Sequence, residues 1–105
     1  MATSRPYKEG LLERLKDPQE AAAYLDAALE EGDTEVFLLA LRDVAEARLG
    51  GIAGLAQQSG LNRETLYRTL SEQGNPELTS LDKLLHAVGL RLAIDVDRNA
   101  TEASR

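Results

Sequence analysis

The 105-residue chain contains no cysteine. Disulfide scaffolds, thiolate metal sites and cysteine nucleophiles are therefore excluded, and an intracellular location is compatible with the composition. A single histidine, His86, excludes a histidine-rich zinc site as well. Long apolar runs are also missing: stretches such as Val36 to Leu41 fall far short of the roughly 20 residues needed to span a bilayer. The opening Met1-Ala2-Thr3-Ser4-Arg5-Pro6 carries no apolar signal stretch. Positive charge is scarce, 12 Lys and Arg against 18 Asp and Glu, for a formal net charge of -6. That balance rules out a continuous basic coat over nucleic acid or an anionic membrane, so any DNA contact must be local. The expectation is a cytoplasmic protein with no membrane partner, and the length suits one compact domain around one core.

What is present is helical periodicity. Residues 1–6 are expected to be loose, and Tyr7 to Lys16 to form a first helix carrying Tyr7, Leu11, Leu12 and Leu15. Asp17-Pro18-Gln19-Glu20 is a start signal, with Asp17 as N-cap, Pro18 where its missing N–H costs nothing, and Glu20 completing a capping box. The second helix should run to about Glu31, where Gly32 stops it, so that 7–33 forms an acidic helical segment. Asp33 caps a third helix, Thr34 to about Leu49, whose Phe37, Leu38, Leu41, Val44, Ala45 and Leu49 make a wide apolar face. Gly50-Gly51 breaks the pattern. Two very short helices follow, Ile52 to Ser59 and Arg63 to about Ser71, with Asn62 as N-cap of the second. After Gly74-Asn75-Pro76, Thr79 is the candidate cap of a sixth helix that buries Leu81, Leu84, Leu85 and Val88 and stops at Gly89. Leu90 to Asp97 then alternates, with Leu90, Leu92, Ile94 and Val96 on one side, and reads as one half-buried strand. Residues 98–105 are small and polar, a flexible tail.

The stretch from Ile52 to Leu70 carries the chemistry. Two short helices crossing steeply need a small residue where their backbones approach, a residue free to turn left-handed between them, and apolar anchors on both sides. Ala56, Gly60, and Leu55, Leu61, Leu66 and Leu70 supply these in order. An ordinary helical hairpin in an all-α core satisfies the same needs; the functional reading is a DNA-binding helix-turn-helix.

At this point the sequence resembles the Cro and phage-repressor type of helix-turn-helix. It is more closely similar to the addiction-module antitoxin (antidote) proteins of bacterial toxin–antitoxin operons, the HigA-like group. The resembling residues are Tyr24-Leu25 with Ala27 to Asp33, Phe37 to Ala45, Gly60-Leu61-Asn62-Arg63-Glu64-Thr65-Leu66-Tyr67, Gly74-Asn75-Pro76, and Leu81 to Leu92. They span nearly everything from Asp17 to Ile94. Thr69 departs from the pattern, since the repressor motif is usually apolar there, and Leu70 is expected to do its packing.

The resemblance implies an all-α, lambda-repressor-like bundle: a helix-turn-helix domain over 34–89, two extra N-terminal helices and a C-terminal dimerisation strand over 90–97. It also implies an antitoxin that binds a basic RelE/HigB-like ribonuclease toxin, represses its own operon on double-stranded operator DNA, works as a homodimer and needs no cofactor or metal. By position in such folds, Asn62, Arg63, Glu64, Thr65, Tyr67 and Arg68 face the bases, and Ser71 and Asn75 the phosphates. Tyr67 suits half-buried packing against the neighbouring helix equally well.

Charge placement fits the partner role. Residues 1–49 carry 6 basic and 11 acidic side chains, while 50–75 carry 2 and 2. Between Lys16 and Arg42 there are acids and no Lys or Arg. Such a run is either a solvated face or a docking surface for a basic protein, and Asp26, Glu30 and Glu31 are its candidate contacts. No catalytic grouping forms around one histidine near a helix end, and about six short helices leave little room for a substrate pocket, so no enzymatic activity is expected. A plain helix-turn-helix regulator without a toxin, and an interaction module that has lost DNA binding, are the competing classes. The strand residues Leu90, Leu92, Ile94 and Val96 need a partner edge, in a second copy or in the toxin's sheet.

Overall fold

A computed structural model describes residues 4–71 and 74–97, with side chains from residue 7 onward. Six helices make up all the regular structure among the described residues: α1 (Ser4–Arg14), α2 (Pro18–Glu30), α3 (Thr34–Leu49), α4 (Ile52–Ser59), α5 (Arg63–Thr69) and α6 (Leu78–Ala87). The all-α expectation holds. The tail at 98–105 and the first three residues lie outside the described residues.

The packing has two hubs. α3 carries α1, α2 and α4, and α4 carries α3, α5 and α6. α3 buries Phe37, Leu38, Ala40, Leu41, Val44 and Ala45, a wide stripe covering a little under half its circumference. α2 meets it through Ala21, Leu25 and Ala28, where two alanines let the backbones approach. Leu55 of α4, Leu66 of α5 and Leu84 of α6 are fully buried in the same cluster, together with Leu15 in the turn after α1. Burying each such side chain contributes roughly 1.5–3 kcal/mol.

Local sequence explains most boundaries. Asp17 and Asp33 each accept a backbone N–H two residues on, from Gln19 and Glu35, both at 2.9 Å. Gly50 closes α3 at φ 82°, a left-handed conformation that glycine adopts without strain.

The structure corrects five expectations. α1 begins at Ser4 rather than Tyr7, because Pro6 falls in a first turn whose N–H groups have no partner in any case. Its Tyr7 is 71% exposed, since the stripe is buried only where α3 lies beneath it, at Leu11 and Leu15. The capping box at Asp17 is half formed: the Asp17 N–H already bonds the Arg14 carbonyl, so Glu20 turns to the Arg14 guanidinium at 3.4 Å instead. α6 starts at Leu78 with Glu77 before it and no side-chain cap, which puts Thr79 inside the helix. Finally, Leu90 to Asp97 forms no strand within the single chain, because no second strand among the described residues offers a ladder.

Two polar devices fasten the bundle. Tyr24 Oη donates to Asp43 at 2.9 Å, tying α2 to α3, while Lys8 reaches Asp43 at 3.5 Å and Glu46 at 3.3 Å from α1. Burial, then the hydrogen bond to Asp43 and its charge, push the Tyr24 phenol up to about 12. Burial alone lowers the Lys8 pKa, but the hydrogen bonds and charges of Glu46 and Asp43 outweigh it and hold the ammonium above its ordinary value. The second device is Arg48, in the last turn of α3. Its Nε donates to the Val88 carbonyl and its Nη1 to the Lys16 carbonyl, both at 2.7 Å. One guanidinium thus satisfies carbonyls at the C-terminal ends of α6 and α1. Gly89 follows with φ 88°, and a Cβ there would stand 3.1 Å from Arg48 Nη2.

Two outcomes follow. Replacing Arg48 by Ala should cost roughly 2–4 kcal/mol, since a charged donor to a carbonyl is worth about 1.5–3 kcal/mol and the solvent-exposed bond to Lys16 adds less than the one to Val88; R48K should recover little, because an ammonium lacks the fork. Denaturant midpoints check both. A neutral Tyr24 is favoured in the fold, so its contribution is complete below the unfolded value of 10 and is lost as pH rises toward 12. Tyr24→Phe should flatten the loss of stability across that window, measured by melting at stepped pH.

Candidate nucleic-acid and partner interfaces

α4 and α5 are joined by a three-residue turn, Gly60-Leu61-Asn62. Gly60 adopts φ 81° and its N–H bonds the Ala56 carbonyl at 3.0 Å, closing α4. The Leu61 N–H donates to Ser59 Oγ at 3.2 Å, and Asn62 Oδ1 accepts from the Thr65 N–H at 2.7 Å, opening α5. Leu66 and Leu70 bury the inner side of α5, so Leu70 does the packing expected of it while Thr69 is only half-buried.

Sequence reasoning passed over two glycines that set this geometry. A Cβ at Gly54 would overlap the Leu49 carbonyl, where α4 passes under the end of α3. A Cβ at Gly74 would overlap the Thr69 carbonyl, at the end of α5. Gly54 sits inside a helical pattern, where glycine costs about 1 kcal/mol relative to alanine; that anomaly was the available signal.

Arg63, Glu64, Tyr67 and Arg68 stand together on the outer face of α5, all exposed. Tyr67 is 57% exposed, which leaves most of its ring free of the neighbouring helix. Asn62 is exposed too, but its Oδ1 is committed to the cap, leaving its amide N–H groups for contact. Thr65 is half-buried. Ser71 Oγ donates to the Arg68 carbonyl at 2.8 Å, so its hydroxyl proton is turned inward. Asn75 is not with this cluster; it lines a shallow cavity of about 240 Å³ beside Asp33 and Thr34 at the α2–α3 turn. Among the described residues Arg63 and Arg68 form no ion pair, as is true of the exposed Arg42, Lys83 and Arg91, whereas Lys8, Arg14 and Lys16 are all engaged by carboxylates.

The acids form a separate surface. Asp26, Glu30 and Glu31 are all exposed, on the second half of α2 and its C-cap, and the last turn holds no basic residue. Carboxylates at this end oppose the helix dipole. Asp26 lies on the rim of an apolar groove of about 790 Å³ between α2 and the chain after α6, lined by Leu29, Phe37, Leu90 and Leu92 among others. His86, also on that groove, is exposed and lies 3.6 Å from Asp82 one turn earlier.

Leu90 and Leu92 are half-buried against the core, while Ile94 is 100% and Val96 67% exposed. No helix among the described residues is long and apolar enough to cross a membrane.

Comparison with known proteins adds the family. The model of the family described as probable addiction module antidote protein matches residues 8–96, and the chain belongs to that family. A Haemophilus influenzae (strain ATCC 51907 / DSM 11121 / KW20 / Rd) protein, named only as an uncharacterized protein, is 35% identical over 88 residues, covering 84% of this chain and 89% of its own. No solved structure matches.

If the α5 face is the DNA contact, replacing Arg63 and Arg68 together by Ala should abolish gel-shift of the operator fragment while leaving helicity and melting unchanged. Wild-type binding should fall steeply with added salt as phosphate counterions are released. Full retention of the shift by the double variant would remove α5 from the interface.

Proposed function

We propose that this addiction-module antidote is an antitoxin that neutralises a basic, RelE/HigB-like ribonuclease toxin by direct binding. On this proposal it also represses its own operon by setting α5 of each copy of a homodimer into the major groove. The observation that carries the reading is the separation of charge. Among the described residues, arginines without an ion pair stand on α5, and an acidic face without basic neighbours in its last turn stands on α2. DNA repels the second surface and attracts the first. A ribonuclease toxin is basic because its substrate is RNA, and an acidic helix end is its electrostatic complement.

The placement of Glu30 and Glu31 supports docking over mere solvation. A solvated face has no need of carboxylates where the helix dipole disfavours them, and a basic partner supplies the missing cation. On the DNA side, Arg63 or Arg68 pairs bidentately with guanine and Glu64 accepts from cytosine, each worth roughly 1–3 kcal/mol of discrimination. Toxin, operator and antitoxin then share the cytoplasm.

The test is co-expression with the reading frame next to the gene. That frame's product should arrest growth alone, and this chain should relieve the arrest and co-purify with it. An inert neighbour would leave a plain regulator. In the same complex, Glu30→Lys with Glu31→Lys should slow association at least tenfold at low salt, an effect shrinking as salt rises. The isolated variant should be no less stable than wild type, and more stable by about 0.3–1 kcal/mol if the dipole argument holds. Equal association rates across the salt series would return α2 to a solvated face.

A further inference from the structure

The chain after α6 is unfinished as a structure. Leu90 N–H closes onto the Leu85 carbonyl at 2.8 Å, and beyond it residues 91–96 make no backbone–backbone hydrogen bond among the described residues. Two of its apolar side chains rest on the core and two, Ile94 and Val96, overhang into solvent. Large apolar residues at every second position, the last two of them β-branched, favour a strand, and a strand needs a neighbour.

We infer that this neighbour is the same segment of a second copy, antiparallel, in the single register that places Ala93 against Ala93 on the two-fold axis. This deepens the proposed homodimer and rests on it. In an antiparallel pair, residues directly opposite point to the same face, so the numbers of facing residues have a constant sum. An odd sum sets Leu, Ile and Val against the polar side and splits the apolar face between the two sides of the ribbon. Among even sums, a centre at Arg91 or Asp95 puts like charges face to face.

A centre at Asp97 does the same, and centres at Leu90 or Val96, at the ends of the segment, leave most of it unpaired, so three remain: Leu92, Ala93 and Ile94. With Leu92 on the axis, Arg91 faces Ala93 and Asp95 faces Gly89, so neither charge finds a partner. With Ile94 on the axis, Leu90 faces Arg98, and Arg91 must take Asp97, which is already engaged within its own chain. With Ala93 on the axis every position is matched: Leu90 faces Val96, Leu92 faces Ile94, and Arg91 faces Asp95, each pair occurring twice. Arg91 and Asp95 are both exposed, and although Asp95 Oδ1 accepts the Val96 N–H at 2.7 Å, its second oxygen is left to take the guanidinium. The overhanging side chains of one copy then cover the half-buried leucines of the other, along the edge of the groove lined by Leu29 and Phe37.

The chain's lack of cysteine makes the test direct. Single variants L92C, A93C and I94C, oxidised as native protein, should form covalent dimer chiefly at position 93. Homotypic pairs one residue off the axis are about 6.6 Å further apart along the strands, at roughly 3.3 Å per residue. R91D and D95R should each weaken dimerisation about tenfold by setting like charges opposite. R91D/D95R should restore it, and mixing the two single variants should give a heterodimer tighter than either homodimer. Preferred crosslinking at 92 or 94, or failure of the charge exchange, overturns the register while leaving the homodimer standing. A wild-type monomer in sedimentation at tens of micromolar, with no crosslink at any position, overturns both.

Discussion

The Arg48 guanidinium fixes how the ends of the bundle meet. It is the one side chain of α3 that reaches carbonyls on both sides, Lys16 after α1 and Val88 after α6. The residue must be arginine because two acceptors on separate elements require separate donors held in a plane. It makes a glycine favourable at position 89, where a side chain would crowd Nη2 and where φ is positive. That glycine in turn sets the direction in which Leu90 leaves the domain. The corner between α1 and α2 is fastened by the same group, so the acidic helix and the C-terminal segment take their positions from one side chain.

α5 depends on a different constraint. Seven residues are too few to hold a helix in water, where even alanine-rich peptides need about 12–15. Its order is borrowed: from the Asn62 cap, from Leu66 and Leu70 in the core, and from the two glycines that let α3, α4 and the chain after α5 pass close to one another. Its outer side chains are therefore presented on a rigid support while contributing little to it.

How much of this was legible in the sequence depends on the range of the interaction. Short-range signals read true: Asp17, Asp33 and Asn62 are caps, Gly60 is the turn, and the leucine spacing named the buried faces. Competition between local signals was harder to see. Glu20 fits a capping box until the Asp17 N–H finds the Arg14 carbonyl, and Thr79 resembles a cap until the helix starts two residues earlier. Long-range polar contacts left no trace at all: nothing in the sequence around Arg48, Tyr24 or Asp43 announces partners 19 to 40 residues away. At the candidate site, the outward face of α5 was legible from its period, whereas the removal of Asn75 to the α2–α3 turn was not.

The alternation from Leu90 to Asp97 is instructive, because the single chain does not realise the strand that its residues favour. A helix satisfies its backbone within its own segment, so periodicity is sufficient evidence for it; a strand is defined by a neighbour that periodicity cannot supply. Alternation therefore states a capacity to pair and leaves the partner open. With all six helices drawn into one core and no second alternating segment in the chain, that capacity is directed outward. The same logic explains why the surfaces assigned to partners lie outside the buried cluster, in the α2 acids and the α5 arginines, or at its edge, in the 90–97 segment. In a domain this small nearly every large buried side chain is committed to the core, and binding is left to residues whose replacement does not unfold it.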